Sequence, residues 1–304
     1  MSRTNGGEPE RSAGATGRLG RIPAPALVLV GIASVQTGSA VARTLFDELG
    51  VAGTALWRLV LASLILLAIL RPPVRSWTRQ SWRAAALLGA AMAGMNLVFY
   101  LSLSTVPLGV AVTVEFMGPL LLALVQTRRV VDFFWAFLAG AGVLLLGLDT
   151  TSDIPLTGLL LAFLAGVFWA AYILASAHVG QVLPGVDGLA VALAIAALVA
   201  LPFGASGATG VLDDPALLLA AVSVAVLSSV IPYGLELTAL RRLPTRVFGV
   251  LMSLQPAAAA IAGRIVLAQE LGRREIVALV MVSFASAGIT LGRREGQPPT
   301  QPLD

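Results

Sequence analysis

Apolar runs separated by short stretches of Pro, Gly and charged residues fill the chain from about residue 25 to residue 292. A transmembrane helix needs about 20 mostly apolar residues, and most of the runs reach that length. The pattern therefore predicts an all-α membrane protein with ten transmembrane helices. The predicted spans are 25–45, 51–70, 83–104, 107–127, 130–148, 156–178, 187–204, 216–240, 245–268 and 275–292.

Polar tails flank the apolar region. Residues 1–22 are rich in Gly, Arg, Glu, Ser and Thr and lack apolar periodicity, so they are predicted to form a disordered cytoplasmic tail. Residues 293–304 are predicted to be a polar C-terminal tail. Ala40-Val41-Ala42 is typical of a signal-peptidase site, but the long polar lead and the nine later spans favour a retained first helix.

Three prolines lie inside predicted spans rather than at their starts: Pro119, Pro232 and Pro256. Each removes a backbone hydrogen bond, and in lipid the freed carbonyl must be satisfied by a neighbouring helix or by water in a cavity. We therefore expect kinked helices that face a cavity.

Two equally spaced pairs of prolines mark an internal repeat. They are Pro107 with Pro119 and Pro244 with Pro256, twelve residues apart in each pair. The offset of 137 that superposes these pairs also relates Asn96 to Tyr233 and Phe99 to Glu236. Because each unit holds five spans, an odd number, the second copy is inverted, as in many secondary transporters whose substrate site lies near the midplane. The predicted five-helix domains are residues 23–149 and 150–292.

Composition supports a lipid environment. Of the 304 residues, 57% are apolar and 12% are charged, against about 25% charged in typical globular chains, and the mean hydropathy is +0.89. The spans use most of the chain. The composition therefore excludes a sizeable soluble domain, a nucleotide-binding domain and a large extracellular receptor domain.

The charged residues set the predicted orientation. All 20 basic residues are Arg, and the net charge is +4. A basic balance is typical of nucleic-acid binding, but here the arginines stand at the ends of apolar runs. Counting alternate sides puts 15 of the 20 on one face, which predicts that both termini are cytoplasmic. The chain has no Cys, one His and no HExxH or Walker sequence, so no cofactor or metal site is predicted.

Ionisable residues inside predicted spans are Glu115, Glu236 and Arg58, and such charges cost about 2.5 to 3.5 kcal/mol each on insertion scales. Glu115 lies roughly 12 Å into its span at 1.5 Å per residue, and binds a substrate amine or carries a proton, or else pairs with Arg58. Glu236 shares a helix face with Tyr233, or else extends towards the cytoplasmic arginines. Arg58 is interpreted as structural.

Weaker candidates are amides and aromatic residues. Those with helical spacing are Asn96 with Tyr100, and Trp169 with Tyr172 and Ser176; Gln36 and Gln255 lie in spans 1 and 9. These side chains either line a solvated cavity or serve helix packing and interfacial anchoring.

An intramembrane enzyme is an alternative of a different class. Gly204-Ala205-Ser206-Gly207 resembles the serine motif of rhomboid proteases, with His178 as the base. Rhomboids place the serine at the start of a buried helix with the histidine downstream. Here Ser206 is predicted in an external loop, and His178 precedes it in a loop at the opposite membrane face. We therefore predict no enzymatic activity, and a channel, which lacks alternating access, is a further alternative.

Several runs of sequence resemble a known transporter family. Residues 106–119 read Val-Pro-Leu-Gly-Val-Ala-Val-Thr-Val-Glu-Phe-Met-Gly-Pro, and further runs lie at 128–133, 156–158, 169–174, 232–236 and 240–253. Together they resemble the bacterial threonine/homoserine exporters of the EamA branch of the drug/metabolite transporter (DMT) superfamily. The resemblance covers about residues 25–292, and the run 240–253 is specific to that family.

This resemblance implies a ten-helix inner-membrane exporter of small amino acids, driven by proton antiport, with a cavity between the two repeats. By motif match, Glu115, Tyr233 and Glu236 are polar residues of that cavity. The family commonly has Glu where this chain has Gln255, which cannot cycle a proton, so proton coupling is assigned to Glu115 or Glu236. The alternative substrate within the superfamily is another amphipathic metabolite or drug.

Overall fold

The structure is a computed structural model that describes residues 22–126, 129–147, 154–183, 186–206, 209–240 and 242–292. Within these ranges every regular element is helical, which confirms the all-α prediction for the described chain. Residues 1–21 of the predicted N-terminal tail, and the predicted C-terminal tail 293–304, lie outside the described residues.

Among the described residues, the first half of the chain forms α1 Ala24–Thr44, α2 Phe46–Leu70, α3 Arg79–Leu103, α4 Leu108–Glu115, α5 Met117–Val125 and α6 Val130–Gly147. The second half forms α7 Leu156–Val182, α8 Asp187–Gly204, α9 Pro215–Ala225, α10 Ile231–Leu240, α11 Thr245–Met252, α12 Gln255–Leu267 and α13 Arg273–Gly292. Each predicted span coincides with one helix or with two consecutive helices. Within α2, Gly50 has a φ of +68°, a backbone conformation that glycine adopts without steric cost, and the regular helix follows from position 51 as predicted.

Nine helical segments of the described residues are long and apolar enough to cross a membrane. The apolar part of α6, Val130–Leu146, is shorter, so the count of ten transmembrane helices stays a prediction. Large apolar side chains face outward, and Phe137 and Ile265 are each 76% exposed. Such a surface suits lipid and is an aggregation hazard in water.

Two segments are broken near their middle, at matching positions of the predicted repeat. α4 ends at Glu115, four residues before Pro119, and α11 ends at Met252, four residues before Pro256. Proline has no N–H to bond the carbonyl four residues earlier, so each helix stops where a carbonyl loses its partner. The two breaks are 137 residues apart, which is the offset of the repeat.

Pro232 has a milder effect, because α9 and α10 are joined by a π-helical turn, Val226–Val230, just before it. The proline cannot bond the carbonyl of Ser228, which instead accepts a hydrogen bond from Arg58 Nη2 at 3.0 Å. The carbonyl of Leu227 accepts one from Ser34 Oγ at 2.7 Å. Side chains of neighbouring helices therefore satisfy the backbone before Pro232, which confirms that part of the expectation.

The central helices pack across the two halves of the chain. α3 packs against α7 and α10 against α1, while α5 packs against α7 and α12 against α1. α2 packs against α8, and α6 against α13. Exchanging the two halves turns each of these contacts into another one of the set or into itself.

Candidate functional site

A cavity of about 120 Å³ lies among the broken and kinked helices. Its walls come from α1 to α4 in the first half of the chain and from α7, the π turn and α10 to α12 in the second. Of the candidates named from the sequence for a place in the cavity wall, all except Tyr100 and Ser176 line it. These lining residues are Gln36, Asn96, Glu115, Trp169, Tyr172, Tyr233, Glu236 and Gln255.

The repeat offset of 137 relates residues on different walls of the cavity. Five pairs of lining residues have this separation: Val35 and Tyr172, Met95 and Pro232, Asn96 and Tyr233, Phe99 and Glu236, and Glu115 and Met252. Corresponding positions of the two halves therefore contribute to the same cavity.

Glu115 is the last residue of α4 and lies near the middle of the segment Leu108–Val125. Only 8% of the residue is exposed. Within the described ranges its carboxylate has no hydrogen bond. It also forms no ion pair with Arg58, because no N···O distance between the two side chains is 4.0 Å or less. A buried carboxylate is costly without a partner, so a cation or proton that enters the cavity would stabilise it.

Backbone contact with α7 holds the helix break in position. A Cβ added to Gly166 would collide with the carbonyl oxygen of Glu115, and one added to Gly118 would collide with the carbonyl of Gly166. Beside the break, the ring of Phe116 packs edge-on against Trp169, with centroids 4.9 Å apart. α7 therefore positions the end of α4 from which Glu115 reaches the cavity wall.

Glu236 lies one turn after the Pro232 kink and lines the cavity together with Tyr233. It packs beside α1, where a Cβ added to Gly31 would lie 3.9 Å from Glu236 Cγ. Of the two orientations left open by the sequence, the structure has the one in which Glu236 faces the cavity.

Gln36 and Gln255 connect α1 to the second helix break. Nε2 of Gln36 donates to Oε1 of Gln255 at 2.9 Å, and both residues are buried. Oε1 of Gln36 is buried and has no hydrogen-bond partner among the described residues. The two amides thus form an interhelical bond and also line the cavity.

Aromatic rings and one further amide complete the polar wall. Trp169 and Tyr172 lie one turn apart on α7, and Tyr233 on α10 lines the same cavity. Nδ2 of Asn96 donates to the carbonyl of Met92 at 2.8 Å, and its carbonyl oxygen has no partner within the described chain. That oxygen is therefore an available acceptor in the wall.

Tyr100 and Arg58 depart from the sequence-based expectations. Tyr100 is fully buried behind the wall, with its ring centroid 5.5 Å from that of Phe46. A step of four residues from Asn96 rotates a side chain by about 40° around the helix axis, which turns Tyr100 away from the cavity. Its hydroxyl accepts a hydrogen bond from Arg58 Nη1 at 3.2 Å. Arg58, interpreted from the sequence as structural, lines the cavity itself.

The residues of the enzyme alternative do not line the cavity. His178 was predicted in a loop, which is wrong, because α7 continues to Val182 and His178 is an exposed residue of that helix. The change to polar composition at this position marks the end of the apolar run rather than the end of the helix. Ser206 is exposed in the turn after α8.

Comparison with known proteins finds transporters. The EamA-like transporter family matches residues 156–291. Threonine/homoserine exporter RhtA of Salmonella typhimurium is 44% identical over 275 residues, which cover 89% of this chain and 92% of the relative. The Escherichia coli protein of the same name is 42% identical over 272 residues, covering 88% and 92%. These relatives are exporters by name, and with the nine apolar segments they show a multi-pass membrane protein that is not an enzyme.

One solved crystal structure superposes with a TM-score of 0.58 over 88% of this chain and 96% of that chain, at 17% sequence identity. At this identity the likeness concerns the fold alone, because one fold serves many functions.

Proposed function

Because the chain belongs to the EamA-like transporter family, we propose that it is a secondary transporter that exports small amino acids such as threonine and homoserine. The substrates named for the relatives support this proposal, since the relatives are 42% and 44% identical to this chain over 88% and 89% of its length. The cell inner membrane is the proposed location. The distribution of arginines supports a cytoplasmic position for both termini.

The observation that carries the proposal is Glu115, a buried carboxylate that forms no hydrogen bond and no ion pair within 4.0 Å among the described residues, in the wall of a mid-span cavity. A zwitterionic amino acid offers an ammonium group that would compensate this charge. We assign the ammonium of the substrate to Glu115, with Glu236 as the second carboxylate of the same cavity. The remaining candidate ligands are Gln36, Asn96, Trp169, Tyr172, Tyr233 and Gln255. Tyr100 acts indirectly, through its hydrogen bond with Arg58.

The proposed architecture is ten transmembrane helices in two inverted five-helix repeats, residues 23–149 and 150–292. Three observations support it: the matching helix breaks, the exchange of packing partners between the halves, and the five pairs of cavity residues at the repeat offset. Discontinuous helices at a midplane site are typical of inverted-repeat transporters. In this arrangement the two halves rock around the cavity and open it to alternate sides of the membrane.

Proton coupling is proposed to depend on competition for one carboxylate. In a site of low dielectric, Glu115 or Glu236 is stabilised by a proton or by a substrate ammonium, and the two exclude each other. Protons that enter from outside then displace substrate outward, provided that the cavity alternates between two states.

Proteoliposomes test this proposal. Threonine-driven proton flux is measured with an internal pH dye for the wild type and for Glu115→Gln and Glu236→Gln. We expect coupled flux in the wild type and loss of coupling in Glu115→Gln. Unchanged coupling in Glu115→Gln would refute the proton-coupling role of Glu115. Loss of coupling only in Glu236→Gln would assign that role to Glu236. Glu48→Gln, an exposed site on α2, is the matched control and should behave as the wild type.

The aromatic and Met side chains in the cavity wall favour one alternative, an exporter of another amphipathic metabolite or drug. Phe99, Trp169, Met95 and Met252 offer apolar contact area there. A thermal-shift panel separates the two, because only compounds that bind the folded state stabilise it. Stabilisation by amphipathic cations but not by threonine or homoserine would favour the alternative. Resolved unitary currents in a planar bilayer would instead indicate a channel.

A further inference from the structure

Arg58 is a buried cation that forms no close ion pair with a carboxylate among the described residues. It lies on α2 within the span Phe46–Leu70, and 6% of the residue is exposed. Within the described ranges it forms no ion pair at N···O distances up to 4.0 Å. Charged residues in membrane spans are costly and normally pair with an opposite charge. At the cavity wall, the position next to the guanidinium is therefore not taken by a protein carboxylate within ion-pair distance, and a ligand carboxylate would fit there.

The hydrogen bonds of Arg58 orient the guanidinium without neutralising it. Nε donates to Ser229 Oγ at 3.3 Å, Nη1 to the Tyr100 hydroxyl at 3.2 Å, and Nη2 to the Ser228 carbonyl at 3.0 Å. All three acceptors are uncharged. A guanidinium has five N–H donors, so two remain, one on each terminal nitrogen. These two can donate to a carboxylate, which arginine commonly binds as a fork.

Two of the three ionisable side chains named in the cavity wall match the two ends of an amino acid, and Glu236 is the third. Arg58 on α2 and Glu115 on α4 line the same cavity without forming an ion pair. A cation and an anion held apart in one buried site are complementary to a zwitterion, whose carboxylate and ammonium are joined through a single carbon.

We propose that Arg58 binds the carboxylate of the exported substrate, and that the site therefore selects α-amino acids over amines that lack a carboxylate. This inference rests on the proposed amino-acid transport. It also links the ligand to the π turn before Pro232, because the same guanidinium donates to the Ser228 carbonyl that Pro232 leaves without a helical N–H. Substrate binding thus acts directly on the kinked segment of the second half.

The test compares threonine with threoninol, in which a hydroxymethyl group replaces the carboxylate. Apparent Kd values are obtained from ligand-dependent shifts of the unfolding midpoint of the purified full chain. In the wild type we expect threonine to bind at least about tenfold more tightly than threoninol, the effect of a charge-assisted hydrogen bond. In Arg58→Gln the ratio should fall to near one, chiefly because threonine binds more weakly.

The ratio separates ligand recognition from a structural role. A variant that only damages the fold weakens both ligands equally and leaves the ratio unchanged. Arg264→Gln, at an exposed arginine paired with Glu270, is the matched control and should keep the wild-type ratio. If Arg58→Gln does not fold, Arg58→Lys takes its place, because it keeps the charge but loses the fork and should lower the ratio partway.

A wild-type ratio near one, or a ratio that Arg58 substitutions leave unchanged, would overturn the role of Arg58. Failure of the proposed substrate gives a different result, in which the wild type binds neither threonine nor homoserine. A panel of other amino acids, each with its matching amino alcohol, then yields the same ratio for the amino acid that binds. Binding of amino alcohols alone would overturn both proposals.

Discussion

Replacing Gly166 with alanine tests whether backbone contact at the first helix break supports the cavity. The added Cβ would collide with the carbonyl oxygen of Glu115 and lie 3.1 Å from both the Glu115 carbonyl carbon and the amide nitrogen of Gly118. All of these are backbone atoms, so no side-chain rotation relieves the overlap. α7 must therefore move away from the end of α4, and Glu115 must shift with the wall.

The magnitude follows from a comparison within one helix. Overpacking in a tight interior costs about 1 to 3 kcal/mol, whereas alanine gains up to about 1 kcal/mol over glycine from helix propensity. Gly180 lies on the same helix, and a Cβ added there has nothing within 4 Å. Both alanine variants gain the propensity term, so Gly166→Ala should be less stable than Gly180→Ala by the overpacking alone, about 1 to 3 kcal/mol.

The assay records the thermal unfolding midpoint of both variants in the same detergent, together with threonine efflux from proteoliposomes. We expect a lower midpoint and slower efflux for Gly166→Ala, and a midpoint at or above the wild type for Gly180→Ala. If Gly166→Ala unfolds at the same temperature as Gly180→Ala or above it, the helices are not in backbone contact at the break and the reasoning fails.

Further predictions concern the kink, a helix cap and a loop. Pro232→Ala gives the Ser228 carbonyl a helical N–H again, so we expect an unfolding midpoint equal to or above the wild type with slower threonine efflux; faster efflux would contradict a role for the kink. Asp214→Ala removes the N-cap of α9, whose Oδ1 accepts a backbone N–H at 2.8 Å. It should cost about 1 kcal/mol and leave the threonine Kd unchanged, whereas a weakened Kd would connect the cap to the cavity. Gln269→Ala removes the acceptor 3.0 Å from the Leu108 N–H, so hydrogen exchange of that amide should become faster, and unchanged exchange would show that the bond is not formed in the membrane.

Much of the fold was readable from the sequence because lipid imposes simple rules. The apolar runs located the helices since every backbone group in lipid must be bonded within the segment. The positions of Pro119 and Pro256 predicted kinks where the structure has helix breaks, because a proline affects the carbonyl four residues earlier wherever it stands in a helix. The π turn before Pro232 could not be predicted from the sequence, since it depends on side chains of α1 and α2 that donate hydrogen bonds to its carbonyls.

The cavity was predicted in its membership more than in its roles. Asn96 and Tyr100 share a helix face by spacing, yet only Asn96 lines the cavity. Gln36 and Gln255 are 219 positions apart, and no local pattern connects the two amides that bond each other. Arg58 was interpreted as structural because it follows Trp57 or neutralises a buried acid. Its place in the cavity wall depends on contacts with Ser228 and Ser229, which are remote in sequence.

The sequence by itself determined that this protein is dissolved in lipid, where its helices lie, and where prolines leave backbone carbonyls without partners. Those properties depend on run length and local spacing, which one helix contains. Only the tertiary structure decided which polar groups share the cavity and which charges stay apart within it. Periodicity relates side chains along one helix, but the rotation of that helix against its neighbours is set by packing between residues remote in sequence, as where Gly166 meets Glu115 and Arg58 meets Ser228.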